Sequence, residues 1–185
     1  MKKGKFKLDI LIKNTLLFIL VSLMIPSLHS QEIIPGSERL SMYIDKLINK
    51  KVAVIANNTS IVRNGELSIH LIDTLLKRDI EIEKIFSPEH GFLGDKDDGE
   101  KIEDGFYKSI EVISLYGKKR KISDDDIEGI DIIIFDIQDV GVRFYTYLST
   151  LHYAMVAASR TNKKIIILDR PNPNSFYIDG PVLEN

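Results

Sequence analysis

Apolar runs and amphipathic segments alternate along most of this chain. Five runs rich in β-branched residues predict strands, at 51–56, 80–86, 110–115, 130–137 and 163–169. Apolar residues at helical spacing predict helices at 38–49 (with Ser37 as its cap), 68–78 and 146–159, and a short helix at 125–128. This alternation is typical of α/β proteins, so we expect a Rossmann-like, doubly wound and mainly parallel sheet with helices on both faces.

Polar side chains follow four of the predicted strands directly. They stand at Asn57-Asn58, Glu89-His90, Asp136 to Arg143 and Asp169 to Asn174. In an open parallel sheet the carboxyl ends of the strands line one crevice, where residues distant in sequence converge. Structural needs alone would not require polar groups at all four strand ends. The pattern therefore favours a functional site at this edge of the sheet.

The second strand ends in the stretch Ser87–Phe92, which reads SPEHGF. Pro88 ends ladder pairing, and Gly91 frees the backbone for a sharp bend. Glu89 is thereby placed where working residues of α/β sheets usually lie. On spacing alone, the alternative that Glu89 and His90 are solvated loop residues stays open.

The remaining motifs narrow the chemistry. Neither GxGxxG nor GxxxxGK[ST] follows the first strand, no GxSxG turn is present, and no HExxH pair is available for zinc. We therefore expect no cofactor and no metal. Carboxylates, amides, tyrosines and an arginine remain, and this mixture suits recognition of a sugar together with carboxylate acid/base chemistry.

Residues 1–30 have the pattern of a secretory signal peptide. Four lysines precede an apolar segment that culminates in 16–25, and Ser30 is a small residue suited to cleavage. The uninterrupted apolar core is about half the length of a membrane-spanning helix, which favours cleavage over anchoring. We expect one exported domain from residue 31 to 185, periplasmic or secreted, with no stable membrane anchor.

Composition excludes several classes of protein. The net charge of −2 gives no global signal for nucleic-acid binding, and the absence of cysteine excludes disulfides, thiolate ligands and a cysteine nucleophile. The acidic turn residues at 94–99 do not have EF-hand spacing and favour a solvated loop. The basic loop Lys118–Lys121 is either a solvated face or an attractor for an anionic substrate.

Five motifs, running from about Val52 to the C-terminus, are similar to one known family. They are SPEHGF at 87–92, SLYG at 114–117, FDIQDVGVRFYTY at 135–147, LDRPNP at 168–173 and DGPVLE at 179–184. The chain resembles the bacterial exo-β-N-acetylmuramidases of the NamZ type, once known only as a domain of unknown function. The resemblance implies an exported glycosidase that releases N-acetylmuramic acid from non-reducing ends of peptidoglycan fragments during cell-wall turnover and recycling.

The resemblance also implies roles for individual residues. Glu89 would be the catalytic carboxylate, with His90 beside it in the same loop. Seven further motif positions would line the crevice and bind substrate: Asn58, Asp136, Gln138, Asp139, Arg143, Tyr145 and Arg170. Either Arg143 or the Lys118–Lys121 loop would pair with the lactyl carboxylate of the muramyl sugar.

Members of this family resemble a longer protein with two domains, whereas this sequence stops just after the DGPVLE motif. We therefore expect either a fragment of a longer protein or a truncated chain, in both cases without the family's C-terminal domain. Two alternatives to a glycosidase stay open: a module that binds peptidoglycan sugars without cleaving them, and an inactive truncated remnant. Loss of sugar release with retained binding in Glu89→Gln would separate catalysis from binding alone.

Overall fold

A computed structural model describes residues 12–18, 33–93 and 104–182. The chain divides into two units, Met1–Glu32 and Ile33–Asn185. In the first unit, residues 12–18 form an exposed helical segment. The lysines and cleavage position of the predicted signal peptide, and the acidic loop 94–99, lie outside the described residues. Within the described ranges, no helix is both long and apolar enough to cross a membrane.

The second unit alternates strands and helices. Its strands are β1 (Lys51–Ala56), β2 (Ile61–Asn64), β3 (Leu67–His70), β4 (Glu81–Ser87), β5 (Gly105–Tyr107), β6 (Ile110–Ser114), β7 (Ile132–Asp136) and β8 (Lys164–Ile167). Its α-helices are α1 (Ile44–Leu47), α2 (Leu71–Leu76) and α3 (Tyr147–Arg160). Short 3-10 turns lie at Gly36–Glu38, Leu40–Met42 and Asp125–Ile127.

Six of these strands form one sheet in the order β5-β6-β4-β1-β7-β8. All neighbours pair in parallel except β5 and β6 at one edge, which are antiparallel. From β1 the chain extends the sheet first through β4 and β6, and later on the other side through β7 and β8. The prediction of a Rossmann-like, mainly parallel sheet is confirmed. The strand order reverses between β1 and β7, which is where such folds form their crevice.

Both faces of the sheet are covered. On one face Val54 belongs to a buried cluster with Leu75 of α2, and on the other Ile55 is clustered with Ala154 and Ala157 of α3. These residues are fully buried, and burying one valine, leucine or isoleucine side chain contributes about 1.5–3 kcal/mol. The alternation along β1 therefore fixes a rigid central strand whose carboxyl end supports the site.

The prediction of a helix over 38–49 was wrong. This segment instead forms two 3-10 turns followed by the four-residue α1. Tyr43 interrupts the helix at φ −133°, and its buried hydroxyl donates a hydrogen bond to the carbonyl of Ser37 at 2.9 Å. Ser37 does not cap a helix, because its side chain is used by tertiary contacts.

The helix predicted over 68–78 begins only at Leu71. The preceding residues form β3, which pairs antiparallel with β2 in a hairpin. The two strands turn at Gly65, which adopts φ +61°. Asn64 pairs with Leu67, so Gly65 and Glu66 are the two turn residues, and glycine at the first of them is a common hairpin signal. The short edge strand β5 was also missing from the prediction.

Candidate active site at the carboxyl edge of the sheet

Glu89 lies in a tight turn just after β4. The Gly91 amide donates to the Pro88 carbonyl at 3.2 Å, and both His90 and Gly91 adopt positive φ angles, +70° and +78°. Glu89 is half-buried, and its Oε2 accepts a hydrogen bond from the Thr146 hydroxyl at 3.0 Å. Thr146 directly precedes α3, so one hydrogen bond joins the loop after β4 to the loop after β7.

Tyr147 and Asn57 lie beside this pair. Burial raises the pKa of Tyr147, with the charges of Tyr145 and Glu89 adding to the increase and the Asn57 side chain opposing it. The phenol is therefore neutral at physiological pH. Asn57 is buried at the end of β1, between the loops that carry Glu89 and Thr146. The site is thus centred on the carboxyl end of the central strand.

Hydrogen bonds also join the ends of β1 and β7, where the strand order reverses. Thr59 Oγ1 donates to Asn57 Oδ1 at 2.6 Å and accepts from the Gln138 amide at 3.1 Å. The Ser60 hydroxyl donates to the Asp136 carbonyl. These bonds fix the loops that follow β1 and β7 against each other at the point where the strand order reverses.

Asp136 and Arg170 contact each other in the interior. Arg170 Nε lies 2.6 Å from Oδ1 of Asp136 and Nη2 lies 2.9 Å from Oδ2, with the carboxylate fully buried and the guanidinium nearly so. Burial raises the pKa of Asp136, although the hydrogen bonds and charge of Arg170 oppose the increase. Arg170 Nη2 also donates to Ser37 Oγ and the Ile61 carbonyl, both at 3.0 Å. The structure thus gives both predicted substrate-binding residues partners within the protein.

Gln138 and Asp139 organise the loop after β7. Gln138 Nε2 donates to the carbonyls of Asp139 and Pro171, at 2.7 Å and 2.9 Å. Asp139 Oδ2 accepts from the Gly141 amide at 3.3 Å. Both side chains are half-buried, and their contacts tie this loop to the one that follows β8.

Three of the predicted binding residues are exposed: Asn58, Arg143 and Tyr145. Arg143 Nη2 donates to the Pro181 carbonyl at 2.8 Å. The Tyr145 ring lies edge-on to Phe144 and Tyr147, with centroids 5.6 Å and 5.8 Å apart. These residues present an amide, a guanidinium and an aromatic ring to solvent along the loops that carry the site.

The basic loop has local partners. Lys119 Nζ lies 2.5 Å from Asp126, and Lys121 Nζ lies 4.7 Å from the centre of the Tyr153 ring. Because these two lysines already have partners, Arg143 is better placed than Lys119 or Lys121 to meet an anionic ligand.

In the part of the chain that the structure describes, no group of three or more histidine, aspartate or glutamate side chains could hold a metal ion.

Two residues of the site, Thr146 and Tyr147, were not singled out from the sequence as functional. Both belong to the FYTY end of a motif, and that motif was the available signal. Asn57 belongs to the polar strand end Asn57-Asn58 that the sequence did indicate, and it also forms a local turn, because its Oδ1 accepts from the Thr59 amide at 3.0 Å.

Fold and site together define a doubly wound α/β protein with a carboxylate-centred polar site at the carboxyl edge of its sheet. The family profile described as "Exo-beta-N-acetylmuramidase NamZ, N-terminal" matches residues 52–185. The chain belongs to this family, as its motifs predicted.

Individual relatives agree with this membership. The chain is 38% identical over 147 residues to the "Peptidoglycan beta-N-acetylmuramidase NamZ" of Bacillus subtilis (strain 168), covering 77% of this chain and 34% of that protein. Crystal structures of two DUF1343 family proteins from Bacteroides fragilis NCTC 9343 each superpose with a TM-score of 0.66. They are 40% and 37% identical and cover 83% and 82% of this chain, but 39% and 38% of their own. The chain thus spans about a third of the curated relative.

Proposed function

We propose that this chain is the Glu89-bearing part of a glycoside hydrolase. The reaction is release of N-acetylmuramic acid from the non-reducing ends of peptidoglycan fragments, in cell-wall turnover and recycling. The observation that carries the proposal is the position of Glu89, half-buried and held by Thr146 where the loops of three adjacent strands meet. Membership of the family and the printed activity of the Bacillus relative support the choice of substrate.

Glycoside hydrolysis requires a carboxyl group fixed beside the glycosidic oxygen. One oxygen of Glu89, Oε2, is bound by Thr146, which fixes the orientation of the group. We assign the other oxygen, Oε1, to the substrate. His90, the next residue in the same turn, is the second member of the proposed catalytic pair.

Arg143 is our candidate for recognising the lactyl carboxylate of the muramyl sugar. Its guanidinium is exposed and uses one nitrogen on the Pro181 carbonyl, which leaves further donors for a carboxylate. Tyr145, with 43% of its surface exposed, offers a ring face to the sugar, and Asn58 offers an amide. The other predicted binding residues support these loops through contacts within the protein: Asp136, Gln138, Asp139 and Arg170.

The substrate also fits the location that the N-terminal pattern predicts. Peptidoglycan lies outside the cytoplasmic membrane, so an exported enzyme would meet this substrate there. We therefore propose a periplasmic or secreted protein whose partners are peptidoglycan-derived muramyl sugars.

The test is hydrolysis of a chromogenic β-N-acetylmuramide by the purified protein. Glu89→Gln removes the proposed acid, and removing such a group typically slows a reaction by about 10²–10⁴-fold. Glu128→Gln is the matched control, because Glu128 is exposed and precedes β7 at the opposite edge of the sheet. We expect release from the wild type and the control, and its loss from Glu89→Gln. Equal release from all three proteins, or binding of N-acetylmuramic acid without any release, would contradict the proposal; the latter would favour a binding module.

A further inference from the structure

Thr146 occupies the N-cap position of α3 without capping the helix. Threonine is one of the residues preferred at this position, where its hydroxyl normally accepts from a backbone amide of the first turn. The Thr146 side chain makes no such bond, although its carbonyl accepts from the Thr150 amide at 3.0 Å as a helix start requires. The hydroxyl is directed instead to Glu89 Oε2.

The bond that replaces the cap has a clear physical advantage. A threonine cap normally stabilises the start of a helix, so leaving it unmade is a loss. The hydroxyl donates instead to a carboxyl oxygen 57 residues away, which links the start of α3 to the loop after β4. The bond also fixes Oε2, so that Glu89 presents its other oxygen in one orientation.

The first turn of α3 is itself anchored. Tyr147, the next residue, is half-buried and packs against the buried cluster that contains Ile55 of β1 and Ala154 of α3. Thr146 therefore approaches Glu89 from a backbone that the central strand holds in place.

We propose that Thr146 is the positioning residue for Glu89, fixing the orientation of its carboxyl group for catalysis. This inference rests on the function proposed above, because it assigns Thr146 a part in that reaction. Thr146 acts through Glu89 and contacts no reacting atom. Misplacement of a reacting group by about 1 Å can cost about 100-fold in rate, so loss of this single bond has a measurable effect.

The test compares three threonine variants with the wild type on the chromogenic muramide. Thr146→Val removes the hydroxyl at nearly constant volume, and Thr146→Ser keeps it. Thr161→Val is the matched control, because Thr161 ends the same helix and donates to the Ala157 carbonyl rather than to Glu89. We expect Thr146→Val to lower kcat about 10- to 100-fold with KM within about twofold. Thr146→Ser and Thr161→Val should keep kcat within about threefold of the wild type.

The outcomes separate this inference from the proposed function. An unchanged kcat in Thr146→Val, where Glu89→Gln abolishes release, overturns the positioning role and leaves the glycosidase intact. If Thr146→Ser loses as much kcat as Thr146→Val, the positioning role is also overturned, because the effect would then be steric. Absence of release from the wild type, or equal release from Glu89→Gln, overturns both.

Discussion

Arg170 binds both carboxylate oxygens of Asp136, at 2.6 and 2.9 Å, in the interior of the domain. The same guanidinium also donates to Ser37 before β1 and to the carbonyl of Ile61 in the hairpin. Four separate segments of the chain therefore meet at one side chain. Asp136 and Arg170, which the sequence motifs indicated as substrate-binding residues, therefore hold these segments of the scaffold together.

Loss of this ion pair should destabilise the protein strongly. Arg170→Leu leaves the Asp136 carboxylate buried without its partner, and removing one member of a buried pair costs about 3–5 kcal/mol. Urea unfolding monitored by circular dichroism measures the change. Arg160→Leu is the control: Arg160 pairs with Asp124 at 2.5 Å, but both side chains are at least half exposed. We expect a cost below about 1 kcal/mol there, and equal costs at the two sites would contradict our interpretation.

Gly36 should not tolerate a methyl group. Its amide donates to the Asp169 carbonyl at 2.7 Å, and an added Cβ would lie 2.6 Å from the Asp169 nitrogen. The contact is with backbone, so Gly36→Ala must displace the strand end and should cost about 1–3 kcal/mol in unfolding free energy. Gly105→Ala is the control, because no described atom lies within 4 Å of the place its added methyl group would take. A Gly36→Ala protein as stable as Gly105→Ala would show that this contact is absent in solution.

Thr59 should stabilise the junction of β1 and β7 through its hydroxyl. Thr59→Val removes the donor to Asn57 Oδ1 and the acceptor for the Gln138 amide. We expect a loss of about 1–2 kcal/mol in chemical denaturation, because two polar groups lose a partner. Thr59→Ser retains the hydroxyl and should keep most of the stability. If serine destabilises as much as valine, the effect belongs to the methyl group and the hydrogen bonds do not account for it.

His70 should make stability depend on pH below about 6.5. Its Nδ1 accepts from the Ile72 amide at 3.2 Å, which requires an unprotonated nitrogen, while Nε2 donates to the Asn57 carbonyl at 2.9 Å. Burial lowers the pKa of His70 in the folded protein. The unfolded chain therefore takes up the proton more readily, and this contribution to stability is complete above about pH 6.5 and falls as the pH decreases.

The measurement is the unfolding free energy of wild type and His70→Asn at about pH 7.5 and about pH 5.5. Asparagine keeps an acceptor for the Ile72 amide but does not titrate. We expect the wild type to lose more stability than the variant on acidification, since other titrating groups contribute equally to both. The same loss in both proteins would refute the role of His70.

The main strands were predictable because each carries its own signal. β1 and β7 are apolar runs buried on both faces of the sheet, so their sequences identify them without knowledge of their partners. β4 carries charged residues in its first half, and its buried end, Ile85 to Ser87, supplies its signal. The helix expected over 38–49 failed for the opposite reason. Its apolar spacing is compatible with a helix, but Tyr43 and Ser37 are committed to contacts outside a regular helix.

The clustering of the strand-end residues was predictable, but their individual partners were only partly so. Polar residues at strand ends predicted that Glu89 lies at the carboxyl edge of the sheet, and the structure places it there, in the loop after β4. A sequence cannot show that Asp136 turns inward, because its partner Arg170 lies 34 residues away along the chain. Thr146 was hidden for the same reason: its hydroxyl meets Glu89 across 57 residues, and nothing local distinguishes it from an ordinary helix cap.

The bond between Thr146 and Glu89 has a consequence for anyone who redesigns these loops. Glu89 follows β4 and Thr146 follows β7, and these two strands lie on opposite sides of β1. The distance between them is therefore two strand spacings, or about 9.5 Å. The lengths of the two connections are therefore matched to the width of the sheet between them. Inserting or deleting one residue in either connection changes the length of that connection alone, so the hydroxyl and the carboxyl group no longer meet. A graft of this site into another α/β protein must carry both connections together, along with the strand that lies between them.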